Sequence, residues 1–228
     1  MHIPTKLLTE AKAVYSAVRT DWNAVNIDGN VLYIADAVRT VGNLKIHKSV
    51  MTFSLLAVYS CPNAKNCDVK DCYALKAQRQ YPETRCKRTV LTWLAMNDVP
   101  TLERLIMNQL SRTHKKAMRV HESGDFVSQE YVNMWFRIAK ANPDIHFYSY
   151  TKTGNIFDFS NCPDNFNIVN KDFCKINFFE TIEECQEMAD KTGGYVCPCG
   201  TPDETKKMCG SVCKVCHNTE KPVFFLKH

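Results

Sequence analysis

Hydrophobic positions along this chain switch repeatedly between helical and strand spacing. Residues 7–18 put Leu7, Leu8, Ala11, Val14, Tyr15 and Val18 on one helical face. Val31 to Ile34 reads as a short strand. Val50 to Tyr59 (VMTFSLLAVY) is β-rich and almost continuously apolar, as a strand buried on both faces should be. Helical spacing returns over 73–80 and over 84–97, where Val90, Leu91, Leu94 and Ala95 share a face. Pro100-Thr101 opens another helix, with Leu102, Leu105, Ile106 and Leu110 spaced for burial. A strand over 117–121 (AMRVH) leads into a turn containing Gly124. Ser128 caps a helix over 129–141, which Asn142-Pro143 terminates. Strands follow at 145–150 (IHFYSY) and 166–169. Thr181 and Glu184 form a capping box for a helix over 182–192, ended by Gly193-Gly194. Short strands at 195–196 and 222–226 (PVFFL) complete the pattern.

Strands alternating with helices predict βαβ units, hence an α/β fold with a mostly parallel sheet, open or closed partway into an incomplete (β/α) barrel. In either arrangement the C-terminal strand ends gather on one side, where sites are built. Cys61, Gly124, Thr151 and Cys197 each follow a predicted strand. Residues 1–41 supply an N-terminal helix and a short strand. Residues 42–228 form a single α/β domain whose Cys-rich segment spans 197–216.

Composition sharpens this picture at one point. The 228 residues carry 29 Lys+Arg and 24 Asp+Glu, a net charge of +5, with 45% hydrophobic residues, which excludes wholesale disorder. No window reaches the roughly 18–20 apolar residues that a membrane span needs. Lys6, Glu10, Lys12 and Arg19 interrupt the N-terminal apolar stretch, so a cytoplasmic location is expected rather than export. Twelve cysteines in such a chain point to metal ligation before disulfides.

Cys61, Cys67 and Cys72 lie in CPNAKNCDVKDC, between a buried strand and a helix, with the spacing C-x5-C-x4-C. Three thiolates would leave one iron of a cluster, or one zinc position, open to another ligand. The second group is VCPCGTPDETKKMCGSVCKVC, from which Cys197, Cys209, Cys213 and Cys216 are the preferred ligands and Cys199 the alternative. On spacing, zinc and an iron–sulfur cluster stand level here. Cys185 reads as a small core residue of the capped helix. Cys86, Cys162 and Cys174 are isolated.

Outside the cysteines, His121, Glu122, Ser123, Asp125 and Ser128 crowd one strand-to-helix turn, and Tyr150, Thr151 and Lys152 end the next strand. If the two strands are neighbours, the turns meet. Gly124 would let backbone approach a ligand, and Asp125 and Lys152 would bind a polar small molecule. A helix-capping role for Asp125 is the rival expectation. Two basic stretches, Arg112 to Arg119 and the run with Arg85, Lys87 and Arg88, raise nucleic acid as a partner.

The ordered set SLLAVYSCP, CYA, RVHESGDF, YVNMWFRIA, FYSYTK, the spaced C-terminal cysteines and PVFFLKH resembles the bacteriophage "gene product 88" family. That resemblance covers 42–228 and implies a phage-encoded protein of the bacterial host cytoplasm. A wider resemblance is to radical SAM enzymes, whose partial barrel carries three Cys after the first strand and Gly-Glu after the second. Cys61, Cys67 and Cys72 match the former, and Ser123-Gly124-Asp125 resembles the latter with Asp for Glu. It implies an iron–sulfur cluster, 4Fe–4S preferred, with zinc as the alternative. SAM is the implied small ligand, its amino group at Asp125 and its carboxylate, or the substrate, at Lys152. If the protein is an enzyme, it is an iron–sulfur-dependent one; the alternative is a non-catalytic, metal-stabilised phage protein that binds nucleic acid or a host factor.

Overall fold

The computed structural model describes residues 4–17, 23–34, 36–41, 46–67, 69–169, 178–198, 213, 215–218 and 221–226. Helix α1 (Thr5–Ala17) is followed by an antiparallel hairpin, β1 (Asn23–Ile27) and β2 (Asn30–Ile34). The hairpin turn is Asp28-Gly29, with φ of 49° and 74°. Two successive left-handed residues match the right-handed twist of a two-residue hairpin. The alternation of buried Val25 and Ile27 with polar neighbours, next to Asp-Gly, is the signal for β1 that an apolar-run reading passes over.

The central sheet contains β3 (Val50–Phe53), β4 (Ala117–Val120), β5 (His146–Tyr150) and β6 (Phe166–Val169). All pairings are parallel, and spatial order follows chain order. Three helices, α2 (Tyr73–Gln80), α3 (Pro82–Asn97) and α4 (Val99–Leu110), connect β3 to β4. Helix α5 (Gln129–Ala141) connects β4 to β5. The chain then builds a small parallel sheet from β7 (Phe178–Phe179), β9 (Val223–Leu226) and β8 (Tyr195–Val196), with α6 (Ile182–Thr192) and the single turn α7 (Val215–Asn218). The α/β class and the parallel sheet thus agree with expectation. No helix among the described residues is long and apolar enough to cross a membrane.

Side chains alternate across a strand, so the sheet has two distinct faces. One face carries Met51, Phe53, Met118, Val120, Phe147, Phe166 and Ile168 into the main core. Helices α3, α4 and α5 pack there, with Trp135 edge-on to Phe53 at 5.0 Å between ring centroids. Helix α1 and the hairpin enter the same core through Leu8, Ala11, Val25, Ile27, Leu32 and Ile34. The predicted caps hold: Ser128 Oγ accepts from the Tyr131 amide at 3.2 Å, and Thr181 with Glu184 closes a capping box on α6. Cys185 is fully buried, as a core residue should be.

Strand β3 is shorter than its apolar run. It ends at Phe53 instead of Tyr59, because the apolar residues Leu55, Leu56 and Ala57 fill a buried loop. Side chains from neighbouring helices satisfy that loop's backbone: the Leu56 amide donates to Thr92 Oγ1 at 2.8 Å and the Ala57 amide to Gln78 Oε1 at 3.0 Å. Burial without a ladder is affordable when each N–H finds such an acceptor.

Gly124 locks this loop in place. Its φ is +83°, and a Cβ there would lie 2.4 Å from Ser60 Oγ and 2.7 Å from Leu55 Cβ. Gly193 also has positive φ (+65°) but faces open space. Gly124→Ala should therefore cost about 2–4 kcal/mol, adding overpacking to backbone strain. Gly193→Ala should cost about 1 kcal/mol, from the left-handed backbone alone. Urea denaturation of both variants checks this. Equal losses would show that the close approach at Gly124 is not tight.

Candidate functional site at the strand ends

The turn after β4 is stitched to the loop after β3. The Glu122 amide donates to Phe53 O at 3.0 Å, the Leu55 amide to Ser123 O at 2.9 Å, and the Asp125 amide to Ser60 O at 3.1 Å. Ser123 Oγ donates to Leu55 O at 2.9 Å. The neighbour that Gly124 approaches closely is this loop.

The same turn is clamped to the end of β5. Asp125 Oδ1 accepts from the Phe126 amide at 2.8 Å and from Thr151 Oγ1 at 2.7 Å. Its Oδ2 accepts from the Lys152 amide at 2.9 Å. Asp125 is therefore not the cap of α5, a role that Ser128 fills. Strands β4 and β5 are neighbours, and the two turns do meet. Burial pushes the Asp125 carboxyl up to about 6, against the lowering pull of these hydrogen bonds and the Lys152 charge.

With its main chain held by Asp125, Lys152 extends its ammonium to Cys67, Nζ donating to Sγ at 2.9 Å. Asn63, in the same loop as the first cysteines, donates to Lys152 O and, at 3.1 Å, to Asn155 Oδ1. The first cysteine loop is thus tied to the β5 turn at two points. Cys61, Cys67 and Cys72 are all partly buried. Burial first, then the charge of Asp125, and more weakly Cys67 and Cys72, push the Cys61 thiol up to about 12. Cys72 stands at the N-cap of α2, with no side-chain capping bond.

Of the second cysteine group, Cys197, Cys213 and Cys216 are among the described residues. Cys197 directly follows β8, its amide bonded to Phe224 O at 2.7 Å. Cys216, on α7, packs with Ile46, Val50 and Tyr148 against the other face of the central sheet. Its carbonyl accepts from Asn167 Nδ2 at 2.8 Å. Cys213 is partly buried, while Cys209, Cys199 and Cys174 lie outside the described residues. Among the described residues, no three His, Cys, Asp or Glu side chains converge as a ready-made ligand group.

That second face holds residues that motif reading passed over. In register across the four strands stand Thr52, Arg119, Tyr148 and Asn167. Arg119 stacks over the Tyr150 ring, 5.1 Å from its centroid. The signal was present as polar residues at alternate positions of AMRV and HFYSY, strands otherwise apolar on one side. His121 belongs to the opposite, core side. It is buried between Tyr131 OH, at 2.9 Å from Nε2, and Ser149 Oγ, at 3.2 Å from Nδ1. Burial pushes it down to about 3, so it is neutral in the fold.

The basic stretches also separate. Arg85 pairs with Glu10 at 3.0 Å, and buried Arg88 donates to Ala74 O at 3.2 Å. Arg112, His114 and Lys115 instead line a cavity of about 760 Å³ at the opposite, N-terminal end of β4, together with Asp36, Asn108 and Gln109. This cavity is remote from the cysteine loop, whose tight hydrogen-bonded turns form the chemically richer locus.

Parallel strands in chain order, with thiols and a buried carboxylate on the loops beyond their C-terminal ends, define an α/β protein whose candidate site lies at the strand ends. The chain belongs to the Gene product 88 family, whose model matches residues 32–170, more than half of it. It is 31% identical over 106 residues to the Gene 88 protein of Mycobacterium phage L5, covering 41% of this chain and 43% of that protein. It is 29% identical over 106 residues to the Gene 88 protein of Mycobacterium phage D29, with the same coverage of 41% and 43%. The aligned segment spans less than half the length of these relatives. These likenesses support a bacteriophage protein. No solved structure matches the chain. The family match includes Cys61, Cys67, Cys72, Asp125 and Lys152, while the cysteines beyond 170 lie outside it.

His121 and Asp125 should impose opposite pH dependences. His121, low in the fold, takes a proton on unfolding, so its share of stability is complete above about pH 6.5 and lost as pH falls toward 3. Asp125, high in the fold, contributes stability fully below about pH 4, and loses it as pH rises through about 6. Between pH 4 and 6 the two slopes oppose each other. Relative to wild type, His121→Gln should lose about 2–3 kcal/mol of stability from pH 4 to 6, and Asp125→Asn should gain as much. Denaturant titrations across that range test this. Parallel curves for all three proteins would show that neither group is buried in the protonation state assigned here.

Proposed function

We propose that this is an iron–sulfur protein with a radical-SAM-like, incomplete (β/α) barrel, and that Cys61, Cys67 and Cys72 hold its cluster, 4Fe–4S in preference. The observation that carries this reading is the loop itself. Three thiols follow the first strand of a parallel sheet, and Lys152 and Asn63 bind that loop to the turn after the third strand. The donor set fits in kind: thiolates are soft ligands, and three of them leave one iron for another ligand. Burial and the charges of Asp125, Cys67 and Cys72 hold the Cys61 thiol protonated, and a bound cationic centre would offset that and favour the ligating thiolate. When bound, such a cluster supplies electron transfer and an open iron that can receive a small polar ligand, SAM being the first to test.

The chain's own residues do the positioning. Asp125 fixes the Lys152 main chain, and the Lys152 ammonium places an N–H donor against the Cys67 sulfur. Gly124 keeps the turn of Asp125 close to the loop that carries Ser60 and leads into the cysteines. Cys197, Cys209, Cys213 and Cys216 are the candidates for a second centre, with zinc as its alternative occupant. A second reading rests on the cavity lined by Arg112, His114 and Lys115, whose cationic rim suits the phosphates of nucleic acid.

Reconstitution with ferrous iron and sulfide under anaerobic conditions tests the main reading. The wild type should turn brown and hold iron and sulfide in equal amounts. Cys67→Ala and the triple Cys61, Cys67, Cys72→Ala variant should lose most of that iron while the fold persists. A colourless wild type that takes zinc, or unchanged iron in the triple variant, would overturn it.

A further inference from the structure

We propose that the second face of the central sheet is a binding site for an oxyanion, a carboxylate or phosphoryl group, with Arg119 as the residue that holds it. Parallel sheets are usually covered on both faces and read as apolar throughout. Here the helix-covered face obeys that rule, and the other does not. A row of Thr52, Arg119, Tyr148 and Asn167 crosses all four strands in register, one position or less from the strand ends of β3 and β4.

Arg119 is the residue that packing does not explain. Its Nε is buried and has no hydrogen-bond partner. Among the described residues its guanidinium forms no hydrogen bond or ion pair; it lies over the face of Tyr150, with the hydroxyls of Tyr73 and Tyr148 and the charge of Glu122 close enough to favour its charged form. A charged group in a sheet interior is ordinarily paired, because an unpaired one carries an uncompensated desolvation cost. The aromatic contact and the nearby Glu122 charge offset that cost without a direct hydrogen bond and leave the planar fork of donors available, the geometry that matches a carboxylate or phosphoryl group bidentately. Tyr73, half exposed at the start of α2, borders the same region, its hydroxyl donating to Glu122 O at 2.5 Å. Cys216 of α7 flanks the row at Tyr148. The site therefore adjoins the candidate cysteine loop, but it rests on the sheet alone and needs no cluster.

Thermal unfolding of the full chain in inorganic phosphate and, separately, in acetate tests the proposal, with chloride at matched ionic strength as reference. At concentrations of about ten times the dissociation constant, the wild-type midpoint should rise by roughly 3–6 °C in at least one of the two. A response to phosphate alone assigns a phosphoryl group, and a response to acetate alone a carboxylate. Arg119→Met should abolish the rise, which is read against that variant's own midpoint in chloride. Arg119→Lys keeps the charge without the fork and should retain a smaller rise, which serves should the Met variant fail to fold. No rise in the wild type in either anion, or an undiminished rise in the Lys and Met variants, would overturn the proposal.

Discussion

The carboxylate of Asp125 sits buried between two turns, and the geometry of the strand ends depends on how it is satisfied. A carboxylate out of water is costly unless donors replace its hydration. Two amides and a hydroxyl do so in part here, from Phe126, Lys152 and Thr151, and burial still holds the carboxyl up at about 6. Hydrogen bonds to a charged acceptor contribute about 1.5–3 kcal/mol each, so the clamp is strong as long as every donor is in place. Two of the three donors belong to the turn after β5. The clamp therefore fixes the relative position of two loops that the sheet alone would leave to close independently.

From that point the constraint spreads outward. Lys152, held by its amide, reaches Cys67 with its ammonium. The Asp125 amide reaches Ser60 O, and Gly124 allows the approach. Helices α2 and α3 hold the far side of the same loop through Gln78 and Thr92. The cysteine loop is consequently gripped from three sides by elements whose own positions the main core sets. A loop built this way can present thiols with little loss of conformational freedom on binding, which is the physical content of preorganisation.

Much of this was legible in the sequence, for definable reasons. Helices α5 and α6 carried their own start and stop signals in Ser128, Asn142, Thr181, Glu184 and Gly193, and their boundaries match. The meeting of the Asp125 and Lys152 turns followed from parallel pairing of adjacent strands. The end of β3 was not legible, because Leu55, Leu56 and Ala57 are as apolar as the strand before them. What distinguishes them is tertiary: acceptors on Thr92 and Gln78, distant in sequence. The role of Asp125 was hidden likewise, since its cap-like position before α5 is occupied functionally by Ser128 three residues on. The polar row was present in plain alternation, yet its alignment across four strands depends on register, which no single strand encodes.

Amide hydrogen exchange at Phe126, Lys152 and Leu55, compared between wild type and Asp125→Ala, tests most directly whether one buried carboxylate holds the strand-end loops together. Loss of the clamp should speed exchange at Phe126 and Lys152 by roughly tenfold or more, and at Leu55 through the loosened turn, while amides within α5 and β6 keep their protection. Unchanged protection at Lys152 and Leu55 in a folded Asp125→Ala protein would contradict the account, leaving the loops held by packing and by the helix side chains alone.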